Sequence, residues 1–257
     1  EKNINEDAVT LFFKYGYIRA PHTIFKNTYK VQPGHYLKVD IANKSIDEIK
    51  YYDVLDYYNK PKLNISEEEA TTEVERLFTS AFQYRMVSDV PVGVFLSGGY
   101  DSSLVAGVLQ KNSTNAIKTF TIGFNEEKYN EAPHAKEIAN YLNTDHHEYY
   151  CTTKEAQEIF PLLPEIYDEP FGDSSAIPTI LVSRFARTKV TVSLSADGGD
   201  ELFAGYNRYH SLQKINKLFD KSPRFLLQTG RFVLNSSFNS FPRLRIKAPK
   251  VNKLSQM

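Results

Sequence analysis

Seven consecutive residues, Ser97-Gly98-Gly99-Tyr100-Asp101-Ser102-Ser103, place two glycines, three serine hydroxyls and a carboxylate directly behind the apolar run Val92-Gly93-Val94-Phe95-Leu96. Glycine has no Cβ to keep an anion from its backbone N–H. A helix starting just after the glycines would add unpaired N–H groups and the positive end of its dipole. Serine hydroxyls supply further donors. Two commoner nucleotide loops are not present: there is no G-x-x-x-x-G-K-S/T, hence no lysine on a γ-phosphate, and no G-x-G-x-x-G. Asp101 would repel polyphosphate unless a cation lay between them, and Mg²⁺ takes one or two carboxylates together with phosphate oxygens. Gly-Gly alone would be read as an ordinary tight turn. The whole string, behind an apolar strand, reads as a pyrophosphate-binding loop.

A second string has the same grammar. Val190-Thr191-Val192-Ser193-Leu194-Ser195 runs into Ala196-Asp197-Gly198-Gly199-Asp200-Glu201, then Leu202-Phe203-Ala204-Gly205-Tyr206. Acids in a first helical turn stabilise the helix by roughly 0.3–1 kcal/mol and need no further explanation. A second glycine turn behind a strand, at the same edge of a sheet, does ask for one.

The elements that would position these loops follow from periodicity. Residues 6–15 predict a helix stopped by Gly16. Residues 29–39 predict two strands around Pro33-Gly34, with a further strand over Ile46–Tyr52 and a linker over Tyr57–Leu63. Ser66 with Glu69 is a capping box. It opens a helix to about Val87 whose apolar face is Ala70, Val74, Leu77, Phe78, Ala81 and Phe82. Strands over 92–96, 119–124, 147–151 and 190–195 then alternate with helices over 102–109, 132–142 and 177–188. This order predicts an α/β fold: an open parallel sheet with helices on both faces, preceded by a small β-rich segment. Ligands of such sheets bind beyond the carboxyl ends of the strands, where both glycine strings fall.

Composition excludes several classes. No apolar run is long enough to span a membrane, and the first residues are too polar for a signal peptide. The single cysteine, Cys151, rules out an internal disulfide framework or a multi-cysteine zinc site and is read as a core residue. Adjacent histidines His146 and His147 on a strand would face opposite ways, which does not suit a shared metal. A cytoplasmic protein is expected. From Arg208 onward eleven Lys/Arg stand against one acid, Asp220. Such a tail suits an acidic partner, another part of the same chain or nucleic acid. No aromatic-basic RNA motif accompanies it, so nucleic acid is not the expected partner.

The string SGGYDSS followed by SADGGDELFAGYNRY resembles the synthetase domain of glutamine-dependent asparagine synthetases. Phe120–Phe124, Asn130-Glu131-Ala132 and Asp168-Glu169-Pro170-Phe171 extend the likeness, which covers roughly residues 7–210. The first loop alone is shared by the wider PP-loop ATP pyrophosphatase group, with its adenine nucleotide alpha hydrolase-like fold. The resemblance implies two parts: 1–60 as the end of an amidotransferase domain with its linker, and 61–257 as a synthetase domain incomplete at its C-terminus. It implies a ligase of asparagine biosynthesis that uses ATP and Mg²⁺. A carboxylate becomes an acyl-adenylate with release of pyrophosphate, and ammonia from glutamine then displaces AMP.

Carried over by position, Asp101 and Asp200 hold Mg²⁺. Ser97, Gly98, Gly99, Ser102 and Ser103 bind phosphate oxygens, and Leu96 and Ile122 meet adenosine through their backbones. Ser195 and Ala196 lie near AMP, and Asp197 faces the acceptor. The expected partners are ATP, aspartate or another carboxylate, glutamine-derived ammonia, and the rest of the amidotransferase domain and C-terminal segment; a homodimer is compatible with this. The sequence also departs from the family. Residue 1 is Glu rather than the nucleophilic cysteine, Asp197 stands where many members have Glu, and Ser174 stands near the family's acceptor-binding arginine. The family's catalytic lysine is expected beyond Met257, so residues 1–257 alone are expected to bind nucleotide without making product. Two alternatives stay open: a relative acting on another carboxylate, in the manner of a β-lactam synthetase or a sugar-acid amidotransferase, and a non-catalytic module with a nucleic-acid-binding tail.

Overall fold

The computed structural model describes residues 2–127 and 130–220. The chain divides into two units, Glu1–Ala196 and Asp197–Met257.

The first unit opens with α1 (Glu6–Tyr15), capped by the Asn5 side chain and ended by Gly16 at φ 81°. Ala8, Ile18 and Ile24 form a small core there, with Val9, Phe12 and Phe25 against it. Strands β1 (His35–Asp40) and β2 (Ser45–Lys50) make an antiparallel hairpin. The hairpin is not the one expected around Pro33-Gly34. Its tip is Ile41–Lys44, where Asp40 accepts from both the backbone and side-chain nitrogens of Asn43, at 2.9 Å each, and Lys44 takes φ 50°. Asp and Asn side chains mimic a backbone turn in this way, and here they decide the register. Gly34, at φ 71°, is a corner against the end of β2, accepting from the N–H groups of Tyr51 and Tyr52. Of the expected arm 29–32, only Tyr29 makes an isolated bridge, to His22. A short helix, α2 (Val54–Tyr58), capped by Asp53, begins before the expected linker 57–63 and takes in its first two residues.

The helix α3 (Glu67–Met86) begins at Ser66 with both bonds of the capping box formed. Its apolar face is half-buried rather than sealed, and Leu77 is 50% exposed. Phe82 and Met86 pack on the main core. After it come β3 (Val92–Phe95), α4 (Tyr100–Lys111), β4 (Lys118–Phe124), α5 (Ala132–Leu142) and β5 (Asp145–Cys151). Next are α6 (Thr153–Ile159), α7 (Leu163–Ile166), α8 (Ala176–Arg187) and β6 (Val192–Leu194). The stretch 153–166 was not expected to be helical. Its signal was the second capping box, Thr152 with Glu155.

Among the described residues the main sheet has the order β5-β4-β3-β6, and each pairing is parallel. Alternation along the strands feeds two layers. Val94 and Leu96 pack with Val105, Ala106, Leu109, Ala135 and Ala139 of α4 and α5. Phe120, with Phe95 and Ile122, packs on the opposite side with Val182 and Ala186 of α8. The Phe120 ring lies where any side chain at Gly93 would have to go. The expected open parallel sheet with helices on both faces is therefore present. The second unit contains α9 (Gly199–Phe203) and α10 (Asn207–Asp220). Most of the basic tail, 221–257, lies outside the described residues.

Candidate functional site at the carboxyl ends of the sheet

Leu96 leaves β3 still tied to β4: its N–H donates to the Phe120 carbonyl at 2.9 Å, and its own carbonyl accepts the Thr121 hydroxyl. The chain then makes the glycine turn. Gly98 is buried at φ 85°, and a Cβ there would lie 3.0 Å from the Ala135 nitrogen and 3.1 Å from His134 Cδ2. Conformation and the first turn of α5 both demand glycine at this point. Gly99 is different. Its φ of −69° suits any residue, and a Cβ would meet the Ser97 hydroxyl at an ordinary 3.4 Å. Nothing in the fold requires that space to be kept open, so the bare Gly99 backbone is consistent with ligand contact.

The three serines close the loop on itself. Gly99 N–H donates to Ser97 Oγ at 3.3 Å, Ser97 and Ser102 hydroxyls meet at 3.0 Å, and Ser102 Oγ donates to the Gly99 carbonyl at 3.2 Å. Ser97 N–H also donates to Ser102 Oγ, at 3.2 Å, and Ser103 Oγ reaches the Gly99 carbonyl at 2.7 Å. Their protons thus serve to shape the cradle. The N–H groups of the first turn of α4, which have no intrahelical acceptor, are left to meet an anion, and the N-cap Gly99 supplies no capping side chain. Asp101 sits exposed in this turn.

Beside the cradle lies a cavity of about 720 Å³, lined by Leu96, Ser97, Ile122, Ser174 and Ser175 among others, a size typical of small-molecule sites. Because Phe120 turns its carbonyl toward β3, strand alternation turns the N–H and C=O of Ile122 the same way, past the last residue of β3. The peptide edge of Ile122 therefore faces the cavity without a strand to pair with. Leu96 and Ile122, expected to act through their backbones, both line it. Ser174 is in the wall as well. The sequence reading missed Thr121, Glu131 and Val182, which also line it. Thr121 could have been found as a lone hydroxyl at the carboxyl end of an apolar strand.

Ser195 and Ala196 follow β6, and Ala196 packs against the main core. Asp197 and Asp200 belong to the second unit. There Gly198 has φ 99° with open space where its Cβ would be. The Asp200 carboxylate folds over Gly205, where a Cβ would collide with it. Glu201 accepts from the Tyr206 hydroxyl at 2.9 Å, which raises the Tyr206 pKa. Among the described residues no group of three or more His, Cys, Asp or Glu converges. Magnesium held largely by phosphate oxygens needs no such cage, and carboxylates are among the ligands it takes; Asp101 in the first unit and Asp200 in the second each carry one.

The histidines face opposite ways as expected. His146 Nδ1 meets the Thr119 hydroxyl at 2.9 Å, whereas His147 stacks on Phe120. Burial, ahead of the neighbouring charges, lowers the His146 pKa. Cys151 is 1% exposed beside Ile159 and Leu181, and burial followed by the Glu155 charge pushes its thiol up. Among the described residues no helix is long and apolar enough to cross a membrane.

The profile of the asparagine synthase family matches residues 73–255. A putative glutamine-hydrolyzing asparagine synthetase 2 of Methanocaldococcus jannaschii is 42% identical over 234 residues, covering 90% of this chain and 44% of its own length. Glutamine-hydrolyzing asparagine synthetase 1 of Bacillus subtilis is 32% identical over 224 residues, covering 86% of this chain and 34% of its own. The Cricetulus griseus enzyme is also 32% identical, with 78% and 39% covered. The chain thus spans less than half the length of these relatives. An NH₃-dependent NAD synthetase structure from Campylobacter jejuni aligns over 53% of this chain and 60% of its own at 16% identity and a TM-score of 0.37, too distant to argue from. The profile match over residues 73–255, within which the glycine cradle and the neighbouring cavity both fall, shows that the chain belongs to the asparagine synthase family.

Proposed function

We propose that this chain carries the ATP-handling half of an ATP-dependent carbon–nitrogen ligase of the asparagine synthetase type. The observation that carries the reading is the Ser97–Ser103 cradle beside the cavity lined by Leu96 and Ile122. Adenine would be read by the free peptide edge of Ile122 and by Leu96. The phosphates would lie over Gly98, Gly99 and the start of α4, with Ser97, Ser102 and Ser103 holding the loop in shape. Asp101 and Asp200 would hold Mg²⁺, which when bound neutralises charge on the leaving pyrophosphate.

The acceptor carboxylate would attack the α-phosphorus, forming an acyl-adenylate as the bond to pyrophosphate breaks. Ammonia would then add to the acyl carbon and expel AMP, leaving an amide. The backbone donors of the cradle need no reorganisation as charge develops, which is where their catalytic value lies. Asp197 would face the acceptor, and Ser195 and Ala196 would lie near AMP. In this reading residues 1–60 close an amidotransferase domain that supplies ammonia from glutamine, and 61–257 belong to the synthetase domain.

Ser174 in the cavity wall favours a second reading of the acceptor. A serine cannot clamp a carboxylate as the bidentate arginine of the resemblance would, so an acid other than aspartate is the alternative substrate.

The intact protein, given ATP, Mg²⁺, ammonia and aspartate, is expected to release AMP and pyrophosphate in equal amounts with asparagine. Formation of ADP and phosphate instead would sink the reading. Pyrophosphate release with other acids but not with aspartate would select the second.

A further inference from the structure

The segment between α7 and α8 brings Ser174 and Ser175 into the cavity wall, and it is tied to the N-terminal region at three points. Glu169 Oε2 accepts from the Ile24 N–H at 3.1 Å. The other Glu169 oxygen pairs with the Lys30 ammonium, which also donates to the Ile18 carbonyl at 2.6 Å. Gly172 N–H then donates to the Gly16 carbonyl at 2.7 Å. A Cβ on Gly172 would lie 3.1 Å from that oxygen, so the two backbones approach about as closely as glycine permits. The Glu169 side chain is only 18% exposed. A pair so placed is shielded from water and salt better than a surface ion pair. Directly after it, Asp173 turns the chain into α8 by accepting from the Ser175 N–H at 2.9 Å and hydroxyl at 2.7 Å.

We propose that Gly16, Ile24 and Lys30 form a latch on Glu169 and Gly172 that fixes Ser174 and Ser175, so that the N-terminal region sets the shape of the nucleotide cavity. This rests on reading the cavity as a nucleotide site. Lys30 and Glu169 are positioning residues: they act through the serines five and six residues further along the chain from Glu169.

The test uses the intact protein with Lys30→Met, Glu169→Ala, Glu169→Gln and the conservative Lys30→Arg. Amide exchange is followed over 170–176, and AMP and ATP affinities are measured by calorimetry. Lys30→Met and Glu169→Ala are expected to speed exchange over 170–176 but not in β3 or β4, and to weaken AMP binding roughly two- to thirtyfold. Glu169→Gln, which retains an acceptor for Ile24, should fall between, and Lys30→Arg should stay near the wild type. Unchanged exchange overturns the latch. Faster exchange with unchanged affinity overturns its link to the cavity. Equal acceleration in β3 and β4 would reduce it to a general stabilising contact. A wild-type protein that binds neither AMP nor ATP would refute the nucleotide reading, and exchange over 170–176 would still decide whether the latch holds.

Discussion

The two strand-to-helix glycine turns share a sequence grammar and differ in construction. In Ser97–Ser103 the glycine with positive φ is walled in by α5, three hydroxyls bond inward, and the helix behind runs for 12 residues. In the turn at Gly198 the glycine faces open space, and the helix behind has 5 residues and ends on Ala204 at φ 56°. Contacts within it include Leu202 N–H to the Gly198 carbonyl, Gly205 N–H to the Asp200 carbonyl, and the Tyr206 hydroxyl to Glu201. Serines spend their protons on the first loop and make it a cradle formed in advance of any ligand. The second loop carries carboxylic side chains, Asp197, Asp200 and Glu201, where the first carries serines. On the proposed reading the first turn supplies backbone donors for an anion and one cation ligand, Asp101, whereas the second supplies cation ligands without an anion cradle.

The most severe test of that division is Asp101→Asn beside Asp200→Asn in the intact protein. If both carboxylates serve one Mg²⁺, each should cut pyrophosphate formation about 10²- to 10³-fold, the scale of losing one strong transition-state contact. Both should also raise the Mg²⁺ concentration needed for half-maximal rate. A wild-type rate in Asp200→Asn would break the comparison and leave the first loop to act alone. Next in size is a stability contrast between the glycines. Gly98→Ala incurs a strained φ and a close approach to α5, and should cost about 2–3 kcal/mol in denaturant unfolding. Gly198→Ala incurs the strain alone, about 1 kcal/mol. Equal losses would mean that the wall around Gly98 gives way.

The sheet was legible because its strands are apolar on both faces and its helices carry caps. Val92–Leu96, the Ser66–Glu69 capping box and Gly16 each state their structure in a few neighbouring residues. The cradle was legible for the same reason, since all its parts lie within Ser97–Ser103. What failed was decided at longer range or by rival turn chemistry. Pro33-Gly34 looked like a hairpin tip, but Asp40 and Asn43 built a better one. Leu77 fits the helical period of α3 yet stays exposed, because periodicity names a face without saying what covers it. The inward hydrogen bonds of the serines are not visible in the sequence either, because they depend on how the loop closes on the Gly99 carbonyl. Glu131 and Ser175 reach the cavity from the segments entering α5 and α8, and Val182 from α8 itself, all far from β3 in sequence, so no local pattern could gather them.

Gly99 gives the cleanest separation of fold from site. Its φ is ordinary and its Cβ position is free of close protein contacts, so Gly99→Ala should leave stability within about 0.5 kcal/mol. The added methyl would nevertheless occupy the space the phosphates need, and ATP affinity should drop about tenfold, some 1.4 kcal/mol. Unchanged affinity would mean that the anion lies elsewhere.

The smallest expected effect comes from the side chains that hold each turn. Ser102→Ala removes a buried hydroxyl that accepts from Ser97 N–H and donates to the Gly99 carbonyl, and should cost about 1 kcal/mol of stability. Glu201→Gln keeps an acceptor for the exposed Tyr206 hydroxyl and should cost less than about 0.5 kcal/mol. Because the Ser102 hydrogen bonds also hold the loop that leads into α4, ATP affinity should fall with them, whereas Glu201→Gln should leave affinity alone. If Glu201→Gln proved the costlier of the two, the second turn would be the rigid one, and the assignment of preformed cradle and open carboxylate loop would have to be exchanged.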